Sequence, residues 1–159
     1  EGSVLSVRPA SPEYTPTDAQ VSYFLGRFVR LIRAVPADPV VLRENWLEAY
    51  QYLTPKAAAS LNAEARLDNP FGQGKTQARS VYVRSIVQRS EQSWQVSWTE
   101  TIASPGAGSS AHVLYTGLFS VAVSAPKDSD ALAKNPLGIF ITQFSFSPDS
   151  GAETLGGGR

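Results

Sequence analysis

The spacing of apolar residues changes once along this chain, near residue 77, and that change constrains the fold more than any other feature. Before it, apolar residues recur every three to four positions; after it they alternate. Thr17-Asp18-Ala19-Gln20 fits a capping box, in which the Thr17 hydroxyl takes an orphan N–H of the first turn and Gln20 reaches back. A long helix is expected to follow, because at 100° per residue Val21, Phe24, Leu25, Phe28, Val29, Ile32 and Val35 share an arc of about 140°. Arg27, Arg30 and Arg33 fall opposite that arc. Asp38-Pro39 starts a second helix, with a capping carboxylate and a proline where its missing N–H costs nothing, and Leu42, Trp46, Ala49, Tyr50 and Leu53 form its apolar stripe. Thr54-Pro55 repeats the signal for a third helix, which Asp68-Asn69-Pro70 ends.

From Gln77 onward the period is two. Val81, Val83, Ser85 and Val87 alternate with Tyr82, Arg84, Ile86 and Gln88, and Ser90-Glu91-Gln92 breaks the run before Trp94, Val96, Trp98, Glu100 and Ile102. A third strand carries Val113, Tyr115, Gly117, Phe119, Val121 and Val123 on one face, with Gly117 expected to mark a bulge or bend. A short helix over Asp128–Lys134 precedes a fourth strand, Gly138–Ser147. Helices first and antiparallel strands afterwards make an α+β order, and strands of this length curl around what they cover. The expected body is a strongly curved four-stranded antiparallel sheet cupping the long helix. Residues 1–16, with Pro9, Pro12 and Pro16, read as an extended lead-in, residues 17–147 as one domain, and residues 148–159, ending in Gly156-Gly157-Gly158, as a flexible tail.

Composition removes several functions. Lys plus Arg and Asp plus Glu number 14 each, divided nine against eight over residues 1–79 and five against six over residues 80–159, so no half is a default nucleic-acid surface. With no cysteine there is no disulfide framework, thiol nucleophile or cysteine-based metal site. Glu1-Gly2-Ser3 in a chain without methionine reads as the start of a soluble fragment, and no run approaches the ~18 apolar residues of a membrane span. A membrane anchor is expected, if at all, before Glu1.

Each motif has a plain reading beside a chemical one. Gly72-Gln73-Gly74-Lys75-Thr76 ends like a phosphate loop, yet the pattern needs glycine where Asn69 stands, and the segment leads into a strand instead of a helix. His112, the lone histidine, lies in phase with Thr116 and Ser120 and reads as structural or solvated. Glu100 shares the parity of Val96, Trp98 and Ile102. Facing an apolar cup it would have a raised pKa and serve as a general base or as a protonated donor; otherwise it swings into solvent or pairs with an arginine. No second titratable group is visibly placed beside it, which favours the plain reading. The helix face bearing Arg27, Arg30 and Arg33 also carries Tyr23 and Gly26, a composition that suits a protein interface as well as it suits plain surface. Asn135-Pro136-Leu137-Gly138 suits a type I turn, with Asn capping, Pro presetting φ and Gly releasing the exit, and it either shapes strand four or presents Leu137 to a partner.

At this turn a resemblance enters. Asn135-Pro136-Leu137-Gly138-Ile139-Phe140-Ile141-Thr142-Gln143-Phe144-Ser145-Phe146-Ser147 is similar to the closing motif and last strand of the TrbF-like conjugal-transfer proteins. These are relatives of the bitopic inner-membrane assembly components of bacterial type IV secretion systems. The stretches Asp18 to Arg30 and Asp38 to Tyr50 agree as well, so the similarity runs in order over about residues 14–148. The resemblance implies a periplasmic domain of the nuclear-transport-factor-2-like type, an α+β cone with three N-terminal helices on the curved sheet, and a transmembrane helix ahead of it in the parent protein. It implies a non-enzymatic scaffold, without metal or cofactor, that self-associates and contacts inner-membrane and core-channel subunits during assembly of the DNA-transfer apparatus. The family motif maps onto Asn135, Pro136 and Gly138 and is associated with subunit contact. Candidate partner-binding residues are therefore Asn135, Pro136, Leu137, Gly138, Tyr23, Arg27 and Arg30; zero net charge disfavours direct nucleic-acid contact. The competing reading is a small-molecule-binding or isomerase-type domain on the same cone, with Glu100 as base.

Overall fold

A computed structural model of the chain describes residues 15–72, 77–104, 109–149 and 155–156. Most of the lead-in, the centres of the Gly72–Thr76 and Ser104–Ser110 loops, and most of the tail lie outside the described residues. Three helices come first: α1 (Asp18–Arg33), α2 (Pro39–Tyr50) and α3 (Pro55–Leu67). Each begins where a side chain takes the place of a missing helical acceptor. Thr17 Oγ1 accepts from Gln20 N at 3.1 Å while Thr17 N donates to Gln20 Oε1 at 2.8 Å, which completes the capping box. Asp38 Oδ1 accepts from Val40 N at 2.9 Å, and Thr54 Oγ1 accepts from Ala57 N at 3.3 Å.

Four antiparallel strands follow in spatial order: β1 (Arg79–Gln88), β2 (Ser93–Ser104), β3 (Ser109–Val123) and β4 (Ile139–Pro148), with α4 (Ser129–Lys134) between the last two. Within the expected tail, β5 (Leu155–Gly156) pairs with His112 and Ala111 of β3. Register shifts occur at Val83/Ser85 in β1 and at Ser120/Val121 in β3. Gly117, expected to mark a bulge or bend, is no bulge: it keeps unbroken pairing with Val96 and Phe146. Its glycine answers to packing instead, since a Cβ there would stand 2.8 Å from the Phe119 ring and 3.1 Å from Phe146 Cβ.

The connectors between helices stitch both sides of the sheet to the helical layer. Val35, after α1, exchanges backbone hydrogen bonds with Arg79 at 2.8 and 3.1 Å, and Leu53, after α2, forms a parallel bridge with Ile141. The sheet is thereby held curled over α1. Leu25, Phe28 and Val29 are fully buried against Val96, Trp98, Ile139 and Ile141. Phe28 sets its edge against Phe119 and Phe144, whose rings stack 5.9 Å apart.

Arg33 departs from expectation. It is 6% exposed and lies inside the cone, not on the solvent face with Arg27 and Arg30. At 100° per residue it sits about 40° past Val29, on the margin of the apolar arc, where a long side chain can turn inward.

Candidate docking surface

Glu100, the one buried carboxylate among the described residues, is 1% exposed and fully engaged. Its Oε2 accepts from Arg33 Nε at 2.6 Å and from Trp98 Nε1 at 2.9 Å, and its Oε1 accepts from Arg33 Nη2 at 2.9 Å. Arg79 Nε stands 3.8 Å away, and Asp68 at the rim lies 3.5 Å from Arg33 and 3.2 Å from Arg79. The Arg33 guanidinium lies over the adjoining rings of Tyr115 and Phe146, 5.1 and 5.0 Å from their centroids. Burial alone would lower the Arg33 pKa, but the Glu100 hydrogen bonds and charge outweigh it and raise the pKa above its ordinary value. The space bounded by Ile32, Arg33, Trp46, Leu61 and Phe146 amounts to about 10 Å³, the scale of one water molecule. A carboxylate clamped in two hydrogen bonds by a guanidinium is not a free base, and the nearest sizeable space, a groove of about 410 Å³ lined by Asp68, Arg79 and Ile102, lies at the rim of the cluster without reaching Glu100. The pairing of Glu100 with an arginine is thus met inside the cone, not in solvent, and the general-base reading finds both carboxylate oxygens already bonded.

The candidate partner-binding residues divide between surface and interior. Tyr23 is 65% exposed. Arg27 reaches α2 and donates from Nε and Nη2 to both Glu48 oxygens at 2.8 to 3.0 Å. Tyr52 O–H donates to the same carboxylate at 2.7 Å. The bond to Glu48 raises the Arg27 pKa, while burial and then that bond push Tyr52 up to about 12. Arg30 is exposed, and its guanidinium has no ion-pair or hydrogen-bond partner among the described residues.

The Asn135–Gly138 turn is built largely inward. Asn135 is 6% exposed, and its Nδ2 donates to Ile139 O at 2.9 Å while its carbonyl accepts from Gly138 N at 3.0 Å. Gly138 has φ +62°, and a Cβ there would stand 2.2 Å from Ser124 O. Its own carbonyl accepts from Ser124 N at 2.7 Å. Leu137, which one of the two readings of the turn presents to a partner, is half-buried against the core. Pro136 is the exposed member.

Pro136 shares a surface groove of about 390 Å³ with Glu44, Glu48, Gln51 and Tyr52 of the α2 side and Ala133 and Lys134 of α4. Since Arg27 holds Glu48 from the other side, the helix-one and turn candidates converge on one surface through Glu48. Glu44, Glu48, Gln51 and Tyr52 are missing from the sequence-derived candidates. A second groove of about 490 Å³ lies beyond Gln51, between the 124–128 segment, Asn135, Gly138 and Phe140. His112 is on the outer sheet face, half-buried, with Nδ1 2.9 Å from Thr101 Oγ1. Among the described residues, no three His, Asp or Glu side chains gather as a metal site would need, and no helix is long and apolar enough to cross a membrane.

A curved antiparallel sheet closed over one long helix, with an aromatic-filled interior, defines the nuclear-transport-factor-2-like α+β cone. The chain belongs to the VirB8 protein family, whose profile matches residues 1–149. It is 31% identical over 125 residues to the conjugal transfer protein TrbF of Rhizobium radiobacter, an alignment covering 77% of this chain and 57% of that protein. The chain thus spans little more than half the length of this curated relative. Among solved structures, Agrobacterium tumefaciens VirB8 superposes with a TM-score of 0.71 at 16% identity, covering 86% of this chain and 96% of that one. The periplasmic domain of DotI superposes with a TM-score of 0.61 at 15% identity, covering 86% and 99%. These two likenesses bear on fold.

Proposed function

We propose that this domain works in the periplasm as a non-enzymatic assembly scaffold of a conjugative type IV secretion system. In this role it docks to copies of itself and to inner-membrane and core-channel subunits during plasmid DNA transfer. The chain is a type IV secretion component of the VirB8 and TrbF kind; the scaffold role, the partners and the compartment are our reading. In it, residues 1–16 form a juxtamembrane stalk above a transmembrane helix of the parent protein, residues 17–147 the body and residues 148–159 a tail. The observation that carries the reading is the contrast between interior and surface. The single inward carboxylate among the described residues is spent on Arg33 and Trp98, whereas Pro136 stands in an open groove with Glu48 and Tyr52, tied by Arg27 to the Tyr23 face. Function then resides in surface contacts, and affinity comes from repeating weak contacts in an assembly.

The test uses the full-length anchored protein in donor cells. Pro136→Glu and Glu44→Arg, both at exposed positions, are expected to lower conjugation and co-purification of secretion subunits about tenfold or more while thermal unfolding of the purified domain stays unchanged. Wild-type conjugation and wild-type co-purification by both variants would refute docking through this groove.

A further inference from the structure

Trp46 of α2 carries a buried donor that no acceptor meets. The residue is 7% exposed, and its indole Nε1–H is sealed from solvent without a hydrogen-bond partner among the described residues, the one side-chain atom there of which this is true. Trp98 shows the ordinary arrangement, since its N–H reaches Glu100 at 2.9 Å. Taking an indole N–H out of water without replacing its acceptor is costly, and native interiors meet such a donor with a protein group or an ordered water. The neighbourhood of Trp46 also holds an acceptor without a donor. Glu64 of α3 is half-buried, and among the described residues no hydrogen bond or ion pair reaches its carboxylate. Both side chains line the same space of about 10 Å³, which Arg33, Leu61, Asp68 and Arg79 also line.

Volume limits an occupant of that space to one heavy atom. Hydrogen-bond chemistry limits it further. An indole N–H only donates, so the occupant must accept; a carboxylate only accepts, so the occupant must also donate. A metal or ammonium ion cannot accept from the indole and is repelled by the guanidinium groups of Arg33 and Arg79, while a halide cannot donate. We propose that this space binds one water molecule, which accepts from Trp46 Nε1 and donates to the Glu64 carboxylate. The bridge joins α2 to α3 where α3 has little apolar anchorage. Its buried residues, Ala57 and Leu61, come no later than its midpoint, and none from Glu64 to Leu67 is buried. Beyond them Asp68 is tied to Arg33 at 3.5 Å and to Arg79 at 3.2 Å. Arg66, Leu67, Asp68 and Asn69 then form a wall of the 410 Å³ rim groove, so the water helps to set where that wall stands. The site is independent of docking through the Pro136 groove.

Water-selective nuclear Overhauser spectroscopy on the ¹⁵N-labelled chain tests the site. The Trp46 indole N–H is expected to show a cross-peak to a water held for longer than the tumbling time of the protein. Glu64→Leu is expected to abolish that cross-peak and to speed amide hydrogen exchange from Ala65 to Asp68 about tenfold, the scale of one lost hydrogen bond. Glu64→Gln still offers an oxygen and is expected to keep both near the parent values. In a Trp46→Phe background the donor is already gone, so Glu64→Leu is expected to add no further acceleration. A Trp46 N–H without the cross-peak would overturn the proposal, as would a cross-peak that survives Glu64→Leu or amide exchange that Glu64→Leu leaves unchanged. The same acceleration by Glu64→Leu with and without the indole would overturn it too, and so would a direct bond from Trp46 to Glu64 in a high-resolution crystal structure.

Discussion

Replacing Arg33 with alanine isolates the cost of the buried ion pair. Glu100 would keep its bond from Trp98 Nε1 but lose both guanidinium bonds, at 2.6 and 2.9 Å, and Arg79 remains 3.8 Å away. A buried carboxylate stripped of its partner costs about 3–5 kcal/mol, and the remaining neighbours place the expected loss at the lower end, about 3 kcal/mol. For a chain of this size that lowers the midpoint of thermal unfolding by roughly 6–12 °C. The reference is Arg33→Ala/Glu100→Leu, which removes both charges and is expected to recover part of the loss, because the penalty belongs to the orphaned carboxylate more than to the missing attraction. Urea unfolding followed by circular dichroism on the four members of the cycle measures both quantities. A loss under about 1 kcal/mol for Arg33→Ala, the scale of an exposed pair, would refute the buried clamp. A double variant no more stable than the single one would do the same.

Two further outcomes follow from geometry already described. Gly138→Ala places a methyl 2.2 Å from Ser124 O on a backbone at φ +62°, so chemical denaturation should show a loss of about 2 kcal/mol or more; stability within about 0.5 kcal/mol of the parent protein would contradict that crossing. The Tyr52 hydroxyl, pushed up to about 12 by burial and its bond to Glu48, has a higher pKa folded than unfolded. Its contribution is therefore complete below about pH 10 and disappears as pH rises toward 12. Denaturation midpoints over that range should fall less steeply in Tyr52→Phe, and parallel curves would reject the raised value.

Much of the fold is readable from local chemistry. Thr17, Asp38 and Thr54 each mark a helix start because the capping side chain acts within three residues, and the change to period two near Gln77 locates the first strand for the same local reason. What escapes is what tertiary approach decides. Arg27 and Glu48 stand 21 residues apart, and no periodicity links them. Arg33 did carry a signal, since its angle on the helix wheel adjoins Val29, but the choice between turning inward and outward depends on Glu100, 67 residues away. Gly117 and Gly138 are recognisable as special positions. The reasons, a phenylalanine ring over one and the Ser124 carbonyl against the other, exist only once the strands meet. The Pro136 groove was half legible: the turn is local, while Glu48 and Tyr52 arrive from another helix and its connector.

The internal bonding of the Asn135–Gly138 turn bears on how quickly the assembly can be remodelled. Asn135 is anchored to Ile139, and the Gly138 carbonyl to Ser124, so in the docking role proposed above the loop around Pro136 would meet a neighbouring subunit in a shape already set. Association there spends little free energy on freezing main-chain rotations, and a modest patch can suffice for recognition. A stiff patch of that kind also cannot mould itself to a second, differently shaped neighbour. Under the proposed docking role, subunits sharing the patch would have to take turns, and successive occupancy would be a means of ordering steps in construction.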